Sequence, residues 1–186
     1  MTGQFDDGAP ILTARLALVP LTIPFFEASL AGDRERAAAL LGATVPDEWF
    51  ESEAIMGIRL GDLRSDPSLQ PWLMRAMLRR EDRVMVGHCG FHGRPGAAYL
   101  EPYAPGGVEM GYTVFSPYRR QGYATEAVQG LMAWAAAEHG VPVFVLSIAP
   151  TNVPSQAIAR RLGFTKVGSH IDPEDGVEEI FVRQAG

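Results

Sequence analysis

The stretch VEMGYTVFSPYRRQGYATEA, residues 108–127, decides the fold because its periodicity changes in the middle. Val108, Met110 and Tyr112 alternate with Glu109, Gly111 and Thr113, the period of a strand. From about Gly122 the alanines and the Thr125-Glu126 pair read as the first turn of a helix that continues to about His139. A strand feeding a helix through a short polar turn is α/β construction. The turn carries two adjacent arginines, Arg119 and Arg120, in a chain of formal net charge −6. A helix start exposes amides without intrahelical acceptors and about half a unit of positive charge. Gly122 lets the backbone approach an anion with no Cβ in the way, Ala124 is nearly as small, and the arginines add charge-assisted donors. Local chemistry therefore leaves two readings open, a phosphate cradle or a helix end with two solvated arginines.

Outward from this stretch, the spacing predicts strands over 15–21, 72–79, 83–92, 107–114, 143–148, 165–171 and 177–183. Helical patterns lie between 24 and 68, best in ERAAALL and SEAIMGIRLGDL, and again at 122–139 and 152–162. Three strands in succession over 72–114 suggest a meander. The expected fold class is α/β (α+β): a mixed, mostly antiparallel central sheet with helices on both faces.

The 186 residues, 47% hydrophobic, suit a single domain over 1–186, with 1–10 read as flexible. The apolar run 141–148 is far shorter than the ~18 residues a membrane span needs, and residues 1–10 lack a secretory pattern. The expectation is a cytoplasmic protein, monomer or homodimer, with no membrane partner. A pI near 5.2 argues against nucleic acid. Cys89 is the single cysteine, which leaves no disulfide framework or thiolate cluster, and no metal is expected.

VEMGYTVFSPYRRQGYATEA followed by PTNVPSQAIARRLGF, residues 150–164, resembles the acetyl-CoA-binding core of the GNAT superfamily of N-acetyltransferases. Arg119, Gly122 and Ala124 match its R/Q-x-x-G-x-G/A signature, and Asn152, Ser155, Gly163 and Phe164 its asparagine helix. LTARLALVPLT, at 12–22, and VGHCGFHG, at 86–93, are similar to the branch holding the ribosomal-protein N-terminal acetyltransferases. The resemblance covers about 11–183. It implies an acetyl-CoA-binding core over 107–164, an acceptor side shaped by 24–68, and strands 107–114 and 143–148 splayed around pantetheine. Pantetheine would pair with main-chain groups of Tyr112, Thr113 and Val114, and the diphosphate would meet the amides of Gln121, Gly122, Tyr123, Ala124 and Thr125 beside Arg119 and Arg120.

The implied reaction moves acetyl from acetyl-CoA to a primary amine, either a protein N-terminal α-amine or a small-molecule amine, by direct attack in a ternary complex. A lysine-like amine is neutral in roughly one molecule in a few thousand at pH 7, and an α-amine in roughly one in ten. A general base of raised pKa is therefore useful. Glu109 is the candidate, on the strand face where Gly111 leaves room for ligand; the alternative is an exposed strand glutamate. The thiolate-side tyrosine of many relatives is replaced by Ala159, which directs attention to Ser155, either a donor to the sulfur or a first-turn serine bonding the backbone. An N–H near Thr113 is expected to hold the oxyanion. Asn152 fixes pantetheine or caps its helix. The missing tyrosine also admits a non-catalytic acyl-CoA sensor.

Other chemistry-bearing residues read as structural. Cys89 lies inside a strand pattern and reads as core. On a strand, His88 and His92 would stand about 13 Å apart at ~3.3 Å per residue, too far to share an ion. The acidic segment 172–179 reads as a solvated hairpin, and Trp49 as core.

Overall fold

The computed structural model describes residues 8–172 and 176–186. The residues from 8 to 90 together with Tyr112–Gly130 form one compact unit, and Phe91–Gly111 with Leu131–Gly186 a second. The expected turn of the acidic hairpin, 173–175, and most of the expected flexible start lie outside the described residues.

The first unit begins with β1 (Ile11–Leu12) and β2 (Leu16–Pro20). Three helices follow: α1 (Ile23–Leu30), α2 (Arg34–Leu41) and α3 (Glu53–Ser65). Thr22 and Asp33 begin α1 and α2 by accepting from the amides of Phe25 and Arg36, satisfying donors that each helix start would otherwise leave orphaned. Next come β3 (Arg75–Arg79) and β4 (Val84–Phe91). β1 to β4 pair antiparallel in order, with Leu18 opposite Met77 and Ala76 opposite His88.

Alternation along β2 sends Leu16 and Leu18 to one face and Ala17 and Val19 to the other. Ala17, Val19, Ala76, Leu78 and Met85 join Phe25, Phe26, Trp49 and Met56 in the core beneath α1 to α3. The other face receives the start of α4 (Tyr123–His139), where a Cβ on Gly130 would stand 2.7 Å from the Thr13 methyl. Helices on both faces follow from that alternation. Trp49 is fully buried and donates its indole N–H to Ser29 Oγ at 2.9 Å, so its expected core role holds.

In the second unit, Val108 and Glu109 of β5 (Val108–Val114) pair in parallel with Phe144 and Val145 of β6 (Val143–Ile148). β6 runs antiparallel to β8 (Gly176–Gln184), and β8 to β7 (Thr165–Asp172). α5 (Val153–Arg161) lies between β6 and β7 in the chain. Leu100, Ala104, Val143, Val145, Ile180 and Val182 form the core cluster here.

The expected mixed, mostly antiparallel class is what the structure shows. Two details differ. The sequence reading missed the two-residue β1, too short to carry a period, and Trp72–Met74 lie outside β3, buried in a turn. Among the described residues no helix is long and apolar enough to cross a membrane.

His88 is packed between the rings of Trp49 and Phe115, at centroid distances of 5.7 and 6.2 Å. Burial, aided by the Arg59 charge, pushes its pKa down to about 4. The unfolded chain therefore takes up this proton first, and stability is lost as pH falls from about 6.5 to about 4, by about 3 kcal/mol in all. Urea unfolding between pH 7.5 and 4 should show that loss in the wild type and a flatter profile in His88→Gln.

Candidate active site

Within the first unit the expected cofactor residues gather at the start of α4. Gly122 has φ +85°, the left-handed region that favours glycine, and Arg120 shares it at +62°. The first helical bond of this end runs from the Glu126 N–H to Gly122 O at 3.1 Å, so the amides of Tyr123, Ala124 and Thr125 precede it without intrahelical acceptors. Arg120, Gln121 and Gly122 are exposed. Among the described residues Arg120 forms no ion pair.

This loop is braced by a residue the sequence reading did not single out. Arg15 donates Nε to Glu126 Oε2 at 2.7 Å and Nη1 to Gln121 O at 3.0 Å, and lies 4.6 Å from the Tyr123 ring centroid. The Arg15 N–H and the Thr13 hydroxyl both donate to Glu126 Oε1 at 2.6 Å. These hydrogen bonds, with the arginine charge, outweigh burial and lower the Glu126 pKa. Arg119 is partly engaged within the protein: its Nε donates to Val114 O at 2.9 Å and Nη2 lies 3.4 Å from Glu48.

Upstream, β5 is held hard against β4. A Cβ on Gly87 would fall 2.1 Å from Thr113 O, and the Phe115 N–H donates to Val86 O at 2.9 Å. The main-chain polar groups of Thr113 are thus turned toward β4, and by strand alternation those of Tyr112 and Val114 turn the opposite way. The main-chain groups near Thr113 that β4 does not take up are therefore those of its neighbours Tyr112 and Val114.

In the second unit, the parallel ladder between β5 and β6 is two pairs long, whereas β6 stays paired with β8 as far as Ile148. Glu109 closes that short ladder. It is 6% exposed, accepts from Tyr99 OH at 2.8 Å, and has His92 Nδ1 3.5 Å from Oε2. The His92 N–H also donates to Glu109 O at 2.9 Å. Burial alone would raise the Glu109 pKa, but the hydrogen bond and charge of His92, with hydrogen bonds from Ser147 and Tyr99, bring it down to about 2. The raised pKa expected of a general base is therefore corrected: this carboxylate is ionised and a weak proton acceptor. The space beside Gly111 is also taken, because a Cβ there would meet His92 Nε2 at 2.9 Å.

Asn152 caps α5, its Oδ1 accepting from the Ser155 N–H at 3.2 Å, with Pro154 in the first turn. That pairing brings Asn152 and Ser155 together, and Ser155 is half-buried. Ala159 is fully buried. Cys89 is buried and its thiol is pushed up to about 12, by burial working against the Arg75 charge, so it is inert at neutral pH. Among the described residues no group of three or more His, Cys, Asp or Glu could hold a metal.

The helix-start amides and the glycine at positive φ, all within the first unit, suit a phosphorylated ligand. Comparison with known proteins agrees with that class. The family model of the acetyltransferase (GNAT) domain matches residues 15–165. This chain belongs to that family and is an acetyl-CoA-dependent N-acetyltransferase. It is 29% identical to the uncharacterized N-acetyltransferase YjdG of Bacillus subtilis over 157 residues, 82% of this chain and 87% of the relative. Among solved structures, a protein of Bordetella pertussis provisionally named a GnaT-family acetyltransferase superposes with a TM-score of 0.67 at 23% identity, covering 92% of this chain and 97% of its own. RimL, a ribosomal L7/L12 α-N-protein acetyltransferase solved in complex with coenzyme A, superposes with a TM-score of 0.62 at 18% identity, covering 92% and 95%.

Two variants test the geometry. Alanine at Gly122 would have to adopt a left-handed φ and crowd Arg15 Nη2 at 3.3 Å, so Gly122→Ala should lose ~1–2 kcal/mol in denaturant unfolding. Glu109 has a depressed pKa, so its contribution is present above about 4.5 and lost as pH falls toward about 2, roughly 3 kcal/mol in all. The melting temperature of the wild type should drop more steeply than that of Glu109→Gln across that window.

Proposed function

We propose that the protein transfers acetyl from acetyl-CoA to a primary amine by direct attack in a ternary complex, and that the amine is an N-terminal α-amine or a small-molecule amine of similar basicity. The observation that carries this reading is the braced start of α4: three first-turn amides, a glycine at φ +85° and exposed Arg120 on one rigid turn. A Cβ at residue 122 would crowd that turn, so the cradle fits a ligand whose phosphates press close to the backbone. Gln121, Gly122, Tyr123, Ala124 and Thr125 would hold the diphosphate, and Arg120, with Arg119 behind it, would supply charge. Tyr112, Thr113 and Val114 would lie along pantetheine, with the main-chain N–H of Val114, next to Thr113, as the oxyanion donor.

Asn152 sets the start of α5, and the Ser155 hydroxyl is the donor we assign to the departing thiolate. A serine is a poor acid, so it would orient and stabilise the sulfur more than protonate it. The α-amine is favoured over a lysine on elementary grounds, since at neutral pH its neutral fraction is several hundredfold larger (roughly one in ten against one in a few thousand). The RimL name supports the same choice. We place the reaction in the cytoplasm, where acetyl-CoA is available.

Calorimetric titration with acetyl-CoA, followed by thiol release on adding N-terminal peptides, polyamines or aminoglycosides, tests the reading. Saturable binding with release for one acceptor class is expected, and no binding at all would overturn it. Gly122→Ala should weaken coenzyme A at least ~10-fold, about 1.4 kcal/mol, while Glu109→Gln should cut transfer and spare cofactor binding.

A further inference from the structure

We propose that His92 Nε2 accepts the proton of the attacking amine and that Glu109 is a positioning residue that holds the imidazole through Nδ1. The inference deepens the amine-acetylation reading and rests on it. Both residues belong to the second unit, and the fold ties them together twice. The His92 main-chain N–H bonds Glu109 O at 2.9 Å, and Nδ1 stands 3.5 Å from Glu109 Oε2.

Access separates their roles. The Glu109 side chain is 6% exposed, whereas that of His92 is 42% exposed. Tyr99 OH occupies the same Oε2 at 2.8 Å, and Ser147 adds a further hydrogen bond to the carboxylate. An incoming amine therefore reaches the imidazole and not the carboxylate. With Nδ1 turned to Glu109, the opposite nitrogen lies over Gly111, 2.9 Å from where a Cβ would be. Any side chain at Gly111 would displace it. This is the end of β5 at which the ladder to β6 has already stopped. Among the described residues, Glu109 from β5 faces the ring directly, and Tyr99 from the turn at 98–100 faces it through Glu109.

The thioester supplies the electrophilic carbonyl carbon. As the new C–N bond forms, the amine N–H proton passes to Nε2, and the imidazolium is stabilised by the Glu109 anion. The C–S bond breaks with its electron pair leaving on sulfur, and the proton on Nε2 is returned to the thiolate or to water. No other reactant is needed.

The test uses the full chain labelled with ¹⁵N-histidine, together with His92→Ala, His92→Asn and Glu109→Gln. In the wild type, NMR should show the neutral His92 ring protonated at Nδ1, a preference lost in Glu109→Gln; a ring protonated at Nε2 overturns the proposal. Acetyl transfer is then followed against pH with a serine-initiated peptide, spermidine and kanamycin as acceptors. His92→Ala should lower kcat/KM ~100-fold or more, remove the acid-side inflection, leave the coenzyme A Kd within about twofold and recover with added imidazole. Glu109→Gln should keep an inflection but move it to lower pH. Wild-type rates that survive both His92 substitutions overturn the dyad alone. A wild type that binds coenzyme A and acetylates none of the three amines overturns the reaction reading, and the dyad with it.

Discussion

A carbon atom added at residue 87 would sit 2.1 Å from the carbonyl oxygen of Thr113, a separation no heavy-atom contact permits. The missing side chain lets β5 lie against β4 at its C-terminal end, and much of the first unit's chemistry follows from that seating. It fixes which way the peptide planes of β5 face, and so which main-chain groups are consumed by the sheet. It also sets where the chain leaves the strand, because Val114 O is then held by Arg119 and the short turn at Ser116–Tyr118 leads directly to Gly122. Glu48 secures the same turn, accepting from the Ser116 N–H at 2.7 Å.

Glu109 shows how environment overrides residue type. Burial by itself disfavours a charged carboxylate, and a glutamate in an apolar strand would be held neutral. Here a histidine, a tyrosine and a serine converge on it, and the balance tips to the anion. Such a group is suited to fix a neighbour in one orientation and to stabilise a positive charge arising on it. The imidazole at His88, four residues before His92, meets the opposite conditions: burial among aromatic rings and a nearby guanidinium, with no carboxylate paired to it among the described residues, keep it neutral.

Local pattern revealed most of the fold and the elements that carry the candidate site, but not the partners that its residues meet. The alternation of 108–114, the helix starting at Gly122, the β6 segment and the Asn152 cap are all written in neighbouring residues, and the structure places each within a residue or so of its expected bounds. The two-residue β1 has no period to read, and its pairing with β2 is a tertiary event. Arg15 and Glu126 stand 111 positions apart, His92 meets Glu109 through a main-chain hydrogen bond just past the end of β4, and Tyr99 reaches it from the segment between β4 and β5. No spacing rule connects such residues. The position of Glu109 was legible; its protonation was not, since that depends on partners contributed by three other segments of chain.

The salt bridge between Arg15 and Glu126 has a consequence for the order in which the molecule is made. One partner leaves the ribosome more than a hundred residues before the other, so the turn at the start of α4 cannot acquire its brace until the stretch between them has been synthesised. Closing so long a loop is an entropic cost met late in folding. A cut or fusion that displaced residues 13–15 would leave the far end of the chain free to form its helix, yet without the strut that aims it. The link between β1 and β2 is thus a structural part of the turn that opens α4, although it lies more than a hundred residues away in the chain.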